Sequence, residues 1–283
     1  MLTSGSDERV VWNDTLRGLR IVSARTDGTD RRVIYERTSQ DAYNLVLSPD
    51  ESMVAFAPFD RRGPATRLMV VPTTGGQARN LFPRRSGAIG LGPIGWSRDG
   101  RRLIFQSFVE EPAKPQVEAR LFSIRVSDRH LRRGRPVNGR ALGVASGDVA
   151  VTRRGIVTKD GNTIRLFPTL GPGSKSRVIA RNAYDMRTSG DGRWIFYTRA
   201  VGRHQSLQQV RATGGTSTTV VRWRLDGLDK PYAFAPDTTG ARLLVVGEER
   251  TAQPVTRYTR VLETSTGDSA DLPLRVRGII AAW

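Results

Sequence analysis

Short apolar runs broken by turns recur along this chain. Each unit holds an apolar run, a small or hydroxyl residue, a turn built mostly around Asp and Gly, and a second apolar run. The units lie at residues 44–56, 94–105, 148–158, 185–197 and 231–246. Their apolar residues are mainly Val, Ile, Leu and Phe, and no segment keeps the i, i+3, i+4, i+7 spacing of an amphipathic helix. The pattern therefore predicts strand–turn–strand units and almost no helix.

The spacing of these units indicates their architecture. The small residue at each turn provides six landmarks, spaced by 44, 49, 55, 37 and 46 residues: Ser4, Ser48, Ser97, Thr152, Ser189 and Ala235. Periods of about 40–50 residues are typical of β-propeller blades and are too long for leucine-rich or ankyrin repeats.

A second pair of strands follows in every repeat. Another apolar run, a Gly/Asp turn and a short closing run occur at residues 19–35, 67–82, 120–137, 163–180, 207–221 and 259–274. Gly-containing turns of this kind supply the positive φ that tight hairpins require. Each repeat is therefore predicted to be a four-stranded antiparallel meander.

The two ends of the chain together make one further repeat. Residues 279–283 (IIAAW) resemble the start of the unit at 94–105, and residues 4–12 (SGSDERVVW) resemble its continuation. A repeat split in this way closes a ring, because the C-terminal strand pairs with the N-terminal strands. The prediction is a single all-β domain over 1–283, a six-bladed β-propeller with four antiparallel strands per blade. The approximate blade units are 279–283 plus 4–37, 41–84, 90–138, 146–181, 183–223 and 229–275.

The net charge of +18 comes from 41 arginines and four lysines against 27 acidic residues. Such a charge raises the question of nucleic acid. The arginines are spread over every repeat, however, and their excess over lysine is typical of a GC-rich genome. We interpret them mainly as solvated surface and expect no specific nucleic-acid partner.

Several kinds of chemistry find no support in the residues. There is no cysteine and no Gly-x-Ser-x-Gly elbow, and the two histidines, His130 and His204, lie in polar segments that predict exposed loops. No run of about 18 apolar residues predicts a membrane span, and the chain as given shows no signal peptide. We expect no membrane insertion, no cofactor apart from a candidate Ca²⁺, and a monomer, because the ring closes within one chain.

The repeat resembles that of the TolB-type propellers. The strings LSPDESMVAF with RLMVVPTTGGQARNLF, and WSRDGRRLIF with RLFSIRVSDR, are similar to its W-S-P-D-G and V-x-(D/P)-x-x-G-G segments. The resemblance implies a six-bladed propeller and a periplasmic or other extracytoplasmic location. It does not imply one function, because the repeat also occurs in the gating propellers of prolyl oligopeptidase-like enzymes.

One set of polar residues is predicted to meet at the mouth of the central channel. Four residues before the turn landmark, three repeats carry an oxygen-bearing side chain: Asn44, Asp148 and Asp185. Beside them come Tyr43, Tyr184, Asp229 and Lys230. The three oxygen-bearing residues are a candidate site for a cation such as Ca²⁺, and the whole set is a candidate contact face for a basic partner segment. Alternatively, these residues only satisfy backbone groups of the connecting loops.

Three functions follow from these observations. The first is a non-catalytic scaffold that binds a protein or peptide. The second is the propeller domain of a prolyl oligopeptidase-like serine hydrolase whose catalytic domain is absent from this chain. The third is a metal-dependent propeller lactonase or lyase, whose ligands would come from Asn44, Asp148 and Asp185.

Overall fold

The computed structural model describes residues 9–14, 18–60, 67–82, 90–109, 118–127, 140–144, 148–168, 175–224, 229–249, 256–272 and 280–282. Within these ranges the regular structure is β-strand, arranged as six antiparallel sheets of four strands. The predicted six-bladed propeller is therefore confirmed. The described residues include no helix that is long and apolar enough to cross a bilayer.

Blades 1 to 6 follow chain order, and each has four strands from the channel outwards. The innermost strands are β24 (Ile280–Ala282), β4 (Gln40–Leu47), β8 (Gly90–Trp96), β12 (Asp148–Thr152), β16 (Tyr184–Thr188) and β20 (Asp229–Pro236). The second strands are β1 (Arg9–Asn13), β5 (Met53–Asp60), β9 (Arg102–Val109), β13 (Gly155–Asp160), β17 (Trp194–Val201) and β21 (Arg242–Glu249).

The outer half of each blade continues the meander. The third strands are β2 (Leu19–Arg25), β6 (Leu68–Pro72), β10 (Glu118–Arg125), β14 (Thr163–Phe167), β18 (His204–Arg211) and β22 (Thr256–Glu263). The outermost strands are β3 (Arg32–Arg37), β7 (Arg79–Phe82), β11 (Arg140–Val144), β15 (Arg177–Arg181), β19 (Thr218–Arg224) and β23 (Ser269–Asp271).

Blade 1 closes the ring. Strand β24 pairs with β1, with Ala282 opposite Val11 and Ile280 opposite Trp12. The innermost strands contact one another in the order β4, β8, β12, β16, β20 and β24, and β24 returns to β4. The split repeat predicted from the two ends of the chain is therefore confirmed for residues 280–282; Trp283 lies outside the described residues.

The core is divided among the six interfaces between blades. A separate apolar cluster fills each interface, such as the one that joins Ala55 and Leu68 of blade 2 to Phe105 of blade 3. Equivalent clusters lie between the other neighbouring pairs of blades. Each sheet is thus buried on both faces, which explains why the strands appear in the sequence as continuous apolar runs.

The turn between the first two strands of a blade is held by its own side chains. In blade 3 the Ser97 hydroxyl donates to Asp99 Oδ1 at 2.6 Å and accepts from the Arg102 N–H at 2.9 Å. The Ser97 hydrogen bond is the main reason why the pKa of Asp99 lies below its usual value. The same Ser-x-Asp bond recurs at Ser48 and Ser189.

Blade 6 builds this turn with the two side chains exchanged. Asp237 is the buried residue that starts the turn, and Thr239 donates to its carboxylate at 3.2 Å. The Asp237 N–H bonds the Arg242 carbonyl at 2.9 Å, as the Ser97 N–H bonds the Arg102 carbonyl. The turn landmark is therefore Asp237, and the sequence-based choice of Ala235 is corrected by two residues.

Candidate functional site

All seven residues predicted at the channel mouth lie on innermost strands. Tyr43 and Asn44 belong to β4, Asp148 to β12, Tyr184 and Asp185 to β16, and Asp229 and Lys230 to β20. The side chains of Tyr43, Asp229 and Lys230 lie outside the described residues. The site is therefore built below from Asn44, Asp148, Tyr184 and Asp185.

Asn44 and Asp185 occupy β-bulges at the same register. In β4, Tyr43 faces Ala57 and Leu45 faces Phe56, so that Asn44 is an extra residue. In β16, Asp185 is extra in the same way, between the pairs of Tyr184 with Thr198 and Met186 with Tyr197. Each lies four residues before its turn serine, and both side chains are exposed.

Both bulge residues adopt left-handed backbone conformations. The φ angle is 44° at Asn44 and 34° at Asp185. Asn and Asp are among the residues that tolerate this region best, because their short polar side chains bond locally. A bulge bends the strand and changes the direction of the side chain it carries. The polar residues are therefore compatible with the local fold, and their direction is set by it.

The two bulges lie on opposite sides of the channel. Strands β4 and β16 are three positions apart in the ring of six. Neighbouring innermost strands contact each other all round the ring, so opposite strands such as β4 and β16 are separated by the central channel. Asn44 and Asp185 thus present polar groups to the channel from opposite sides.

Asp185 is held by the strand beside it. The Thr198 hydroxyl donates to Asp185 Oδ2 at 3.1 Å, which leaves Oδ1 outside that bond. Tyr184, the residue before, is 41% exposed. Arg187, two residues further on, is also exposed and donates to the Met186 carbonyl at 2.8 Å. Arg187 was not identified from the sequence, although its i+2 relation to Asp185 on a strand was a signal for it.

Asp148 lies in a different setting. Strand β12 has no bulge, and Asp148 forms a regular pair with Lys159. The Lys159 ammonium lies 3.2 Å from Asp148 Oδ2, and the Asp148 side chain is 58% exposed. In its place in the strand pairing, Asp148 corresponds to Tyr43 of β4 and Tyr184 of β16. It does not correspond to the bulge residues Asn44 and Asp185. Of the three residues predicted to lie at one depth, Asn44 and Asp185 therefore do so. Asp148 lies at a different level and has Lys159 as its counter-charge.

Asp229 and Lys230 begin β20, where their backbones pair with Glu249 and Glu248. Because the blade 6 turn starts at Asp237, Asp229 and Lys230 lie eight and seven positions before it, whereas Tyr43 lies five positions before Ser48. The extra residue of the blade 6 bulge is Tyr232, between the pairs formed by Pro231 and Ala233. The sequence offered no signal for Tyr232, because its position depends on the corrected turn.

Among the described residues, no three His, Cys, Asp or Glu side chains form a group that could hold a metal ion. The proposed cation set includes an asparagine and stays a prediction. His204 is exposed, as expected, but it is the first residue of β18 and not part of a loop. His130 lies outside the described residues.

Comparison with known proteins relates this fold to several propellers. No family model and no curated protein matches the chain. TolB from Acinetobacter baumannii aligns over 97% of this chain and 66% of its own length, with 16% identity and a TM-score of 0.65. An oligogalacturonate lyase in complex with manganese aligns over 93% of this chain and 73% of its own, with 12% identity and a TM-score of 0.56.

A third similar structure is a prolyl endopeptidase. It aligns over 96% of this chain and 50% of its own length, with 11% identity and a TM-score of 0.54. The chain thus spans half of that enzyme and just under two thirds of TolB. Identities this low show a shared fold, and the fold that this chain shares is the TolB-like six-bladed propeller.

Proposed function

We propose that this chain is a non-catalytic propeller scaffold that binds a segment of a protein partner at the channel mouth. The observation that carries the proposal is the pair of exposed bulge residues, Asn44 and Asp185, on opposite strands of the ring. Left-handed non-glycine residues and bulges cluster where a structure positions side chains for binding. Tyr184 and Arg187 extend this surface along β16.

The placement of the two residues on opposite sides of the channel favours a polypeptide over a shared cation. Calcium ligands lie about 2.3–2.6 Å from the ion, so two of its ligand oxygens are within about 5 Å of each other. Asn44 and Asp185 lie on strands three positions apart in a ring of six, with the channel between them. An extended segment spans such a gap, because its side chains reach both walls. Asp185 then accepts from an N–H or a cationic side chain, and Asn44 both donates and accepts.

The other two predicted functions stay predictions. Similarity to the endopeptidase and to the lyase concerns the fold, which is common to proteins of unlike activity. The lyase proposal required Asn44, Asp148 and Asp185 to share one metal, and Asp148 has Lys159 as its counter-charge. The arrangement of the mouth therefore supports binding best.

Differential capture from native extract tests the proposal. Asn44→Gly with Asp185→Gly removes both side chains and relieves both left-handed conformations, so we expect an unchanged or slightly raised melting temperature. A protein retained by the wild type should be lost by this double variant. Asn182→Gly is the matched control, because Asn182 is also exposed and left-handed, with a φ of 54°, but lies outside the mouth set.

The captured protein is then purified and titrated calorimetrically into all three forms. Wild type and Asn182→Gly should give the same affinity, and the double variant should bind at least about ten-fold more weakly, since two polar contacts are lost. Equal affinity of the double variant and the wild type would refute the proposal. Titration of calcium alone should give no heat that distinguishes the variants.

A further inference from the structure

Half of the net positive charge of this protein lies in less than a quarter of its sequence. Residues 161–225 contain eleven Arg and Lys against two Asp, a net charge of +9 out of +18. They run from the turn between β13 and β14, in blade 4, through blade 5. The arginines themselves are spread over every blade; this segment differs because it contains only two carboxylates, Asp185 and Asp191. Between Asp191 and Asp226 there are six arginines and no acidic residue.

Strand pairing gathers part of this charge on one face of blade 5. Ser206 pairs with Arg199 on one side and Arg222 on the other. One step further along the same face, His204 pairs with Val201 and Arg224. We call Arg199, His204, Arg222 and Arg224 the blade 5 cationic face, and all four are exposed.

The dimensions of this face follow from sheet geometry. Arg199 and Arg222 are two strands apart, which places their backbones about 10 Å from each other. Arg222 and Arg224 are two residues apart on one strand, a distance of about 7 Å. Val201, which is 62% exposed, adds an apolar patch within the same area.

A buried polar network supports the cationic face. The Gln208 amide donates to the Ser206 hydroxyl at 2.8 Å and to the Thr219 hydroxyl at 2.9 Å. Ser206 in turn donates to the Arg199 carbonyl at 3.3 Å. Because Ser206 and Gln208 are buried, this network fixes β17, β18 and β19 relative to each other. The arginines therefore project from a rigid base, which lowers the entropic cost of binding.

The outermost strand of blade 5 favours an extended ligand. Strand β19 ends its sheet, so one edge of its backbone is unused by the sheet. An added peptide strand hydrogen-bonds to such an edge, and its alternate side chains reach the same face. Glutamates at alternate positions of that strand lie on the face that carries Arg222.

The surroundings of Trp223 favour a peptide over single-stranded nucleic acid. Proteins bind single strands by stacking bases on exposed aromatic side chains beside basic groups. Trp223 alternates with Arg222 and Arg224 and packs into the apolar cluster between blades 5 and 6. It therefore faces away from the arginines and provides no platform for bases on their side.

From these observations we propose that the edge and cationic face of blade 5 bind an acidic polypeptide segment in extended conformation. This surface is separate from the channel mouth, which takes N–H donors or cationic groups. The two surfaces would contact different parts of a partner or different partners, and either proposal can fail without the other.

Fluorescence anisotropy with synthetic peptides tests the inference on the whole chain. The probe is a labelled peptide of alternating Glu and Thr, and the comparison peptide has the same composition with its glutamates in one block. We expect the alternating peptide to bind several-fold more tightly. Arg199→Gln with Arg222→Gln should weaken its binding by about ten-fold, since each charge pair contributes up to about 1 kcal/mol. Arg224 has other interactions and is left in place.

The matched control is Arg98→Gln with Arg154→Gln, two exposed arginines on turns of blades 3 and 4. This control lowers the net charge by the same amount as Arg199→Gln with Arg222→Gln. It should change the affinity for the alternating peptide less than two-fold. Equal loss in both double variants would show attraction to net charge alone and overturn the proposal. Equal binding of the alternating and block peptides would also overturn it, as would tighter binding of a single-stranded oligonucleotide of the same charge. The peptide comparison uses the wild type, so it stands even if a variant folds poorly.

Discussion

At the scale of single residues, side chains in the first turn of blades 2 to 6 form hydrogen bonds within the turn and fix it. Ser48, Ser97 and Ser189 follow one pattern, in which the serine hydroxyl bonds an Asp two residues later. This pattern could be recognised in the sequence because the residue types repeat. The blade 6 turn was misplaced because Asp237 and Thr239 perform the same bonding with exchanged residue types. Residue identity was therefore a poor guide where two chemistries fulfil one role.

Exchange of the two side chains tests this interpretation. Asp237→Ala removes the acceptor for the N–H groups of Gly240 and Ala241 and should lower the free energy of unfolding by about 2–3 kcal/mol. The double change Asp237→Ser with Thr239→Asp rebuilds the pattern of the other blades and should cost less than about 1 kcal/mol. Urea denaturation provides both values, and a double variant no better than Asp237→Ala would contradict the interpretation.

At the scale of strands, the bulges decide where the polar residues of the mouth lie. The sequence predicted that Asn44, Asp148 and Asp185 share one depth, because it counted residues along regular strands. Strands β4 and β16 each contain an extra residue, whereas β12 is regular. A bulge leaves little trace in a short run of mixed residues, so the count alone did not distinguish the strands. The set of residues was accessible from the sequence, and their relative placement was not.

The left-handed backbone at Asp185 predicts that Asp185 and Arg187, on the same strand, have opposite preferences for Gly and Val. At Asp185, Gly should be more stable than Val by about 1–2 kcal/mol, because a β-branched side chain clashes when φ is positive. At Arg187, two residues later in regular strand geometry, Val should be more stable than Gly. Thermal unfolding of the four variants measures both differences. If Val is preferred at both positions, the bulge conformation is wrong.

At the scale of the whole molecule, six sheets are locked into a ring by one strand from the far end of the chain. This feature was predicted well from the sequence, since a repeat split between the two ends is a global pattern that survives local variation. The structure adds how the closure is stabilised: β24 covers β1, whose Val10, Val11 and Trp12 are fully buried. The mouth depends on this closure, because the opposed positions of Asn44 and Asp185 exist only in a complete ring.

Thermal unfolding of the chain without residues 278–283 tests the closed ring most directly. Removal of β24 exposes the edge of β1 and opens the contacts of β24 with β4 and β20. The loss of several kcal/mol in a domain of this size should lower the melting temperature by more than about 10 °C. A truncated protein that melts within about two degrees of the full chain would contradict the closed ring, and with it the placement of the channel mouth.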